Sequence, residues 1–475
     1  MRLYERLADE VAALIRDGTL PSGTRAPSVR QLCRDRGASP ATVTRAYELL
    51  QARGYLEARP RSGFFVRASN VGSQPTQSAA RLTPARTRAE HVDVSQLVFR
   101  VLEATRRRDI VPLGSAFPSP LLFPLKQLAR HLAVSARQLD PWTTVEDLPP
   151  GNLELRRQIA RRYRLAGADV SPEEIVITAG ALEALNLALL AVTAPNDVVA
   201  IESPAFYGCL QAIESAGRRA IEVRTESRHG VDVDDLERIL ERTSVKACWF
   251  MTTFQNPLGA SMPEAAKRRL VRLLAARNIP LIDDNVYAEL YFGAERPKST
   301  KVFDAAALVL DCGSFAKSLA PGYRLGWVAA GRFATQLWQR KVTSSVATNV
   351  PAQAALARYL QAGTYDRHLR GLRRRLAAQQ RALIAALTRH FPENTRWLAP
   401  QGGYQLWVEL PEGVDAIELH RCAIARGISI APGPIFSARR QFKNAIRLNF
   451  GHPWTPHFEK AIQTLGKLIR EELAR

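Results

Sequence analysis

The chain has 475 residues, a formal net charge of +21, 46% hydrophobic residues and 23% charged ones. That length exceeds one ordinary core of roughly 100–200 residues, and that hydrophobic share argues against a disordered chain. No apolar run approaches the ~20 residues that span a bilayer, and no signal-peptide core stands at the start, so a cytoplasmic protein without a membrane partner is expected. The five scattered cysteines, with no C-x-x-C among them, argue against a zinc site or a disulfide framework.

Leu3, Leu7, Val11, Leu14 and Ile15 share one helical face across residues 1–17, and Gly18 ends that helix. After the turn Leu20-Pro21-Ser22-Gly23-Thr24, a second helix starts at Ser28, with Gln31 three residues on as in a capping box. A third takes Ser39 as N-cap and Pro40 in its first turn, buries Val43, Ala46, Tyr47 and Leu50, and closes at Gly54. Tyr55–Ala58 and Gly63–Val66 then read as two strands joined by the basic hairpin Arg59-Pro60-Arg61-Ser62. Three helices and a hairpin in residues 1–67 are the plan of a winged helix-turn-helix. Its third helix would turn its N-terminus, with the Ser39 and Thr42 hydroxyls, toward phosphates or base edges. Thr44 and Arg45 lie on its exposed face, and Arg59 and Arg61 flank the wing tip, placed for phosphate or minor-groove contact.

Leu20–Arg30, followed by Val43-Thr44-Arg45-Ala46-Tyr47 and Gly54-Tyr55-Leu56, strongly resembles the GntR winged-helix family, with Ala26 where a Leu is usual. The resemblance covers most of residues 3–66. It implies a double-stranded DNA operator as partner, touched by Arg25, Ser28, Arg30, Thr42 and Arg45. Charge adds little to this, because residues 1–67 hold twelve Arg against seven Asp or Glu. Most of the excess lies further on, in clusters such as Arg156, Arg157, Arg161, Arg162 and Arg164, which read equally as solvated helix faces or as a second DNA contact.

Residues 68–93 are expected to form a flexible linker, since their Ser, Thr, Gln, Pro, Ala and Arg cannot bury enough surface to fold. Over 94–475 helices alternate with short apolar strands: Glu174–Thr178, Val198–Ile201, Ala247–Met251, Leu281–Ile282 and Ala307–Leu310. Such alternation predicts a mostly parallel sheet covered by helices, an α/β fold. Only ten lysines occur, and Lys317 sits among small and apolar residues in Ser314-Phe315-Ala316-Lys317-Ser318-Leu319-Ala320-Pro321-Gly322-Tyr323-Arg324-Leu325-Gly326-Trp327, directly after a strand. A buried lysine has a lowered pKa and becomes a carbonyl nucleophile. Ser314 and Arg324 could bind one phosphate together.

This segment closely resembles the lysine motif of fold-type I pyridoxal-phosphate enzymes. The resemblance implies a large α/β domain with a smaller C-terminal α+β lobe, and pyridoxal 5′-phosphate held as an aldimine on Lys317, the catalytic lysine. Gln255-Asn256-Pro257-Leu258-Gly259 resembles the loop whose Asn meets the cofactor's phenolic oxygen. Asp283-Asp284-Asn285-Val286-Tyr287 would place Asp284 on the ring nitrogen and Tyr287 on that same oxygen. Thr178–Leu185 resembles the phosphate-cradling turn, with Gly180, Ala181 and Leu182 at its centre, although relatives usually have Ser-Gln at Ala181-Leu182. Phe206 matches the ring-stacking aromatic, and Ile446-Arg447-Leu448-Asn449-Phe450 the segment whose Arg clamps a substrate or effector carboxylate. Ala316 replaces a frequent Ser, and no tyrosine stands near Leu148-Pro149-Pro150-Gly151 to reach a partner subunit's phosphate.

The whole chain is similar to the MocR-type regulators, which implies a homodimer with domain exchange. Pro112–Pro118 and Tyr287–Gly293 are similar to a less-studied branch and not to the best-known vitamin B6 regulators. The expected function is transcription regulation, with an amino compound or pyridoxal phosphate itself as effector. The alternatives are a working amino acid/2-oxo acid aminotransferase with an appended reader, and a DNA-binding module with an idle large domain.

Overall fold

The computed structural model describes residues 3–16, 20, 23–52, 55–59, 63–66, 89–103, 109–143 and 148–474. The chain divides into two compact units, Met1–Thr76 and Gln77–Arg475.

In the first unit, helices α1 (Leu3–Arg16), α2 (Val29–Arg36) and α3 (Pro40–Ala52) precede the antiparallel hairpin β1 (Leu56–Arg59) and β2 (Gly63–Val66). Each start has a local cause. Ser28 Oγ accepts the Gln31 backbone N–H to open α2, and Ser39 Oγ accepts that of Thr42 to open α3. Val43, Ala46, Tyr47 and Leu50 are fully buried, and the Tyr47 hydroxyl donates to the Pro27 carbonyl at 2.6 Å, tying α3 to the turn before α2. The buried face of α1 differs from the expected one. It is Leu7, Ala8, Val11 and Ala12, whereas Leu3 is exposed and Leu14 and Ile15 are half-buried. Two alanines let the helices approach closely, which a count of large apolar residues overlooks.

The second unit is built on a nine-stranded sheet. Its longer strands are β3 (Ile175–Thr178), β4 (Val198–Ser203), β5 (Arg219–Glu226), β6 (Val245–Phe250), β7 (Leu281–Asp284), β8 (Val309–Ser314) and β9 (Gly326–Ala329). They lie in the order β5-β4-β6-β7-β8-β9-β3. The first five are mutually parallel, and β9 runs antiparallel to β8 and to β3. Fully buried parallel strands need continuous apolar runs, and β4 and β6 supply them. Glu90–His91 pairs with β5 at the sheet edge and Val92 is buried. The last residues of the expected linker therefore belong to the sheet, and 67–88 lie outside the described residues.

A second sheet of four strands forms the C-terminal lobe, with β10 (Gln405–Glu409) antiparallel to β11 (Ala445–Asn449) at its centre. Helices Thr364–His390 and Pro456–Leu473 pack together beside it over one buried apolar cluster. Two of the clustered arginines are structural. Arg156 donates to the Gly151 and Pro172 carbonyls, and Arg162 pairs with Glu289 at 2.7 Å and Asp366 at 3.1 Å. No helix among the described residues is long and apolar enough to cross a membrane.

Candidate functional site

In parallel α/β sheets, ligands bind beyond the carboxyl ends of the strands, and the predicted residues gather there. Asp284 ends β7, Ser314 ends β8, and Gly180 follows β3 as the N-cap of α4 (Ala181–Val192). Three residues past β8, the Lys317 ammonium donates to the Ala116 carbonyl at 2.8 Å. It lies 4.1 Å above the Phe117 ring and 6.0 Å above that of Tyr287. Burial pushes its pKa down to about 7, helped by the cations of Arg447 and Arg324 and opposed by Asp284.

Asp284 is buried, and burial raises its carboxyl to about 7. Its Oδ1 has no hydrogen-bond partner. Deeper in the sheet, Asp283 accepts from Thr252 and Thr300, and Asp311 from Tyr163, Asn285 and Ser299. These neighbours are satisfied within the protein. Asp284 keeps an open acceptor at the strand end, as Glu202 Oε1 does on the neighbouring β4.

A small cradle lies beside it. Gly180 has φ +91°, and a Cβ there would stand 2.7 Å from Arg324 Nη2. On Gly326, opposite Ser314 in register, a Cβ would meet the Gly180 carbonyl carbon and the Ala181 nitrogen at 2.7 and 2.9 Å. The first turn of α4 has no side-chain cap, so its amide groups, with the Arg324 guanidinium, make an anion-binding concavity. Ser314 Oγ donates to the Leu325 carbonyl and accepts from the Ala316 N–H, so its proton is held within the protein. Leu182 is half-exposed and contributes no polar side-chain group, while Phe206 caps the helix Tyr207–Ser215 and packs against Gly208. A lysine amine, an open carboxylate acceptor and an anion cradle are the groups that pyridoxal 5′-phosphate requires, so the residues present fit it.

Arg447 is fully buried on β11. Its Nη1 donates to Asn256 Oδ1 at 3.1 Å, its Nη2 to the Gly114 carbonyl at 2.6 Å, and its Nε has no partner. The segment 112–118 is tied over this site, because Asn449 Nδ2 donates to the Ser115 and Phe117 carbonyls and the Tyr404 hydroxyl to that of Ala116. Gly114, Ala116, Phe117, Tyr404, Gln405 and Asn449 are neighbours that the sequence reading did not select as site residues. Gly114, Ala116 and Phe117 act through backbone carbonyls, which carry no side-chain signature.

In the first unit, Arg25, Ser28, Arg30, Ser39, Thr44 and Arg45 are exposed and Thr42 is half-buried. The Ser39 and Thr42 hydroxyls share a hydrogen bond of 2.8 Å, so one of their donors is spent within the cap. The Arg45 guanidinium lies 5.0 Å over the Tyr4 ring. Arg61 lies outside the described residues, and the Arg59 side chain is likewise not described.

Residues 143–464 match the aminotransferase class I and II family, and residues 3–66 match the bacterial regulatory proteins of the gntR family. The chain is 45% identical over the whole length of both chains to the uncharacterized HTH-type transcriptional regulator YdcR of Escherichia coli K12. It is 35% identical to YjiR of the same organism, over 99% of each. Among solved structures it resembles LysN, the α-aminoadipate aminotransferase of Thermus thermophilus complexed with N-(5′-phosphopyridoxyl)-L-leucine. There the TM-score is 0.71 at 28% identity, covering 79% of this chain and 95% of that one. The chain belongs to the MocR-type transcriptional regulators, DNA-binding proteins in which a GntR winged helix is fused to a fold-type I aminotransferase-like domain.

Proposed function

We propose that this regulator binds pyridoxal 5′-phosphate through Lys317 and that an amino compound entering the same site changes how the readers hold their operator. The observation that carries the reading is the open Asp284 acceptor beside a lysine amine and an anion cradle, in a chain that also holds a complete winged helix. Bound there, the cofactor supplies an electrophilic carbon for an amino group and a protonated ring that withdraws electrons.

The chain's own residues set the conditions for this. Lys317, with its lowered pKa, offers a free amine near neutral pH. Asp284 accepts from the ring nitrogen. Gly180, Ala181 and Leu182 give backbone N–H groups to the phosphate, with Ser314 and Arg324 beside them. Phe206 covers the ring face, Asn256 and Tyr287 meet the phenolic oxygen, and Arg447 receives a ligand carboxylate. In the reader, Arg25, Ser28, Arg30, Ser39, Thr42, Thr44, Arg45, Arg59 and Arg61 face the duplex. A homodimer completes the reading, supported by the exposed Leu121 and Trp142 on the second unit. An effector works only through different affinities for two states of that assembly.

Footprinting upstream of the protein's own gene, with and without pyridoxal phosphate and a panel of amines, tests this. Protection that changes with ligand supports it, and no protected site under any condition overturns it. The second reading, an amino acid/2-oxo acid aminotransferase, is favoured by the joint presence of Lys317, Asp284 and Arg447. Multiple turnover at roughly 1 per second or more would establish it.

A further inference from the structure

Among the described residues, buried side chains that keep polar atoms without protein partners at the site include Asp284 at Oδ1, Arg447 at Nε and Gln405 at both amide atoms. Buried polar atoms are almost always hydrogen-bonded, and leaving one open is costly. On the proposed reading, the cofactor's ring nitrogen meets Asp284 and a ligand carboxylate meets Arg447. Gln405 is left unexplained.

Gln405 is 3% exposed and opens β10. In register it stands opposite Asn449, as Trp407 stands opposite Arg447, so these four side chains share one face of the two strands. That face looks onto the site, since Arg447 reaches Asn256 and Gly114 and Asn449 holds Ser115 and Phe117. Asn449 cannot serve Gln405, because its Nδ2 donates to two carbonyls and its Oδ1 accepts the Gly451 N–H. The Gln405 amide also stands beside the Tyr287 hydroxyl without an aligned bond to it.

We propose that Gln405 is a second anchor for the ligand's carboxylate, acting with Arg447. Its Nε2 donates to one carboxylate oxygen while Arg447 holds the other, and Tyr287 keeps its single proton for the cofactor's phenolic oxygen. The effector is then an α-amino acid and not a simple amine, because an amine leaves both buried groups unmatched. Sites built to hydrogen-bond a ligand group reject analogues that lack it. This rests on the amino-compound effector proposed above and narrows its class.

The test titrates the cofactor-loaded, full-length protein with L-alanine, L-phenylalanine and L-lysine, each paired with its decarboxylated amine (ethylamine, phenethylamine and cadaverine), following the shift of the cofactor's visible band. Wild-type protein is expected to favour each amino acid by tenfold or more, at about the strength of one charge-assisted hydrogen bond. Gln405→Leu should weaken the amino acids about tenfold, leave the amines unchanged and keep the starting band and Tm. Gln405→Glu should weaken the amino acids further by like-charge repulsion, again sparing the amines. It carries the test alone if the Leu variant loses the cofactor. Equal losses for amino acids and amines, or no loss for amino acids, overturn the anchor while leaving the amino-compound reading intact. If no amino compound shifts the wild-type band, that reading fails and the anchor falls with it.

Discussion

At Lys317, burial drives the ammonium toward deprotonation while Asp284 pulls the other way, and the balance falls at about 7. The free amine is the nucleophile, so its fraction rises as pH climbs through that value. An ordinary lysine, with a pKa of about 10.4, would still be gaining nucleophile at pH 9. Uptake of pyridoxal phosphate by cofactor-free protein, followed by stopped-flow absorbance, should therefore rise through about pH 7 and level off by about pH 8; a rate still climbing at pH 9 contradicts the shift. Lys317→Ala should abolish the visible band altogether. A second prediction concerns Gly180, whose backbone (φ +91°, ψ 173°) is closed to other residues and whose missing Cβ leaves room for Arg324. Gly180→Ala should cost about 1–3 kcal/mol and weaken pyridoxal phosphate binding tenfold or more, measured by fluorescence titration. Lys317 was legible in the sequence because a lone lysine amid small residues after a strand contradicts ordinary surface composition. Gln405 was not, because Tyr404-Gln405-Leu406-Trp407 alternates like any half-buried strand.

Glu289 joins three elements through charge. Arg162 from the helix Leu153–Leu165 lies 2.7 Å away, Arg296 lies 3.2 Å away, and Arg373 from the helix Thr364–His390 lies 3.7 Å away. Those arginines hold the partly buried carboxyl below its usual range. Removing it leaves three cations with less compensation, so Glu289→Ala should destabilise the second unit by about 2 kcal/mol, seen as a lower midpoint in urea. In the reader, Ser39→Ala removes the cap of α3 and should cost about 1 kcal/mol. Elements were legible where the core demanded continuous apolar runs, as in β4 and β6. They were hidden where polar residues are buried in pairs. In β5 the run Arg-Ala-Ile-Glu-Val-Arg-Thr-Glu looks solvated, yet Glu222 lies in the core and accepts from Ser203, Ser437 and the Ala438 N–H. The start of β8 was misplaced for a different reason. Ala307 takes φ +52°, which delays the strand to Val309, a backbone feature that no apolar pattern announces.

The two units have separate cores. Leu7, Val11, Val43, Tyr47, Leu50 and Val66 form one apolar cluster confined to the reader, and the remaining clusters are built from the second unit alone. Sites resting on separate cores can be disabled independently, because a change in one leaves the packing of the other intact. Regulation adds one coupling between them, and that coupling is reciprocal. If an amino acid shifts operator affinity by some factor, operator DNA must shift amino acid affinity by the same factor. Reader variants Arg30→Ala and Thr44→Ala should therefore lose operator binding while keeping the cofactor band, its amino acid response and the Tm of the second unit. Arg30→Ala, if it removes a phosphate contact, should also lower the slope of log affinity against log salt by about 1. Conversely, Lys317→Ala should still bind the operator, with an affinity that amino acids no longer change. Titrating amino acid into wild-type holoprotein with and without saturating operator closes the cycle. Equal factors from both directions identify a regulator whose aminotransferase-like unit is its sensor. Amino acid affinity indifferent to DNA would mean that the unit acts as an enzyme beside the reader.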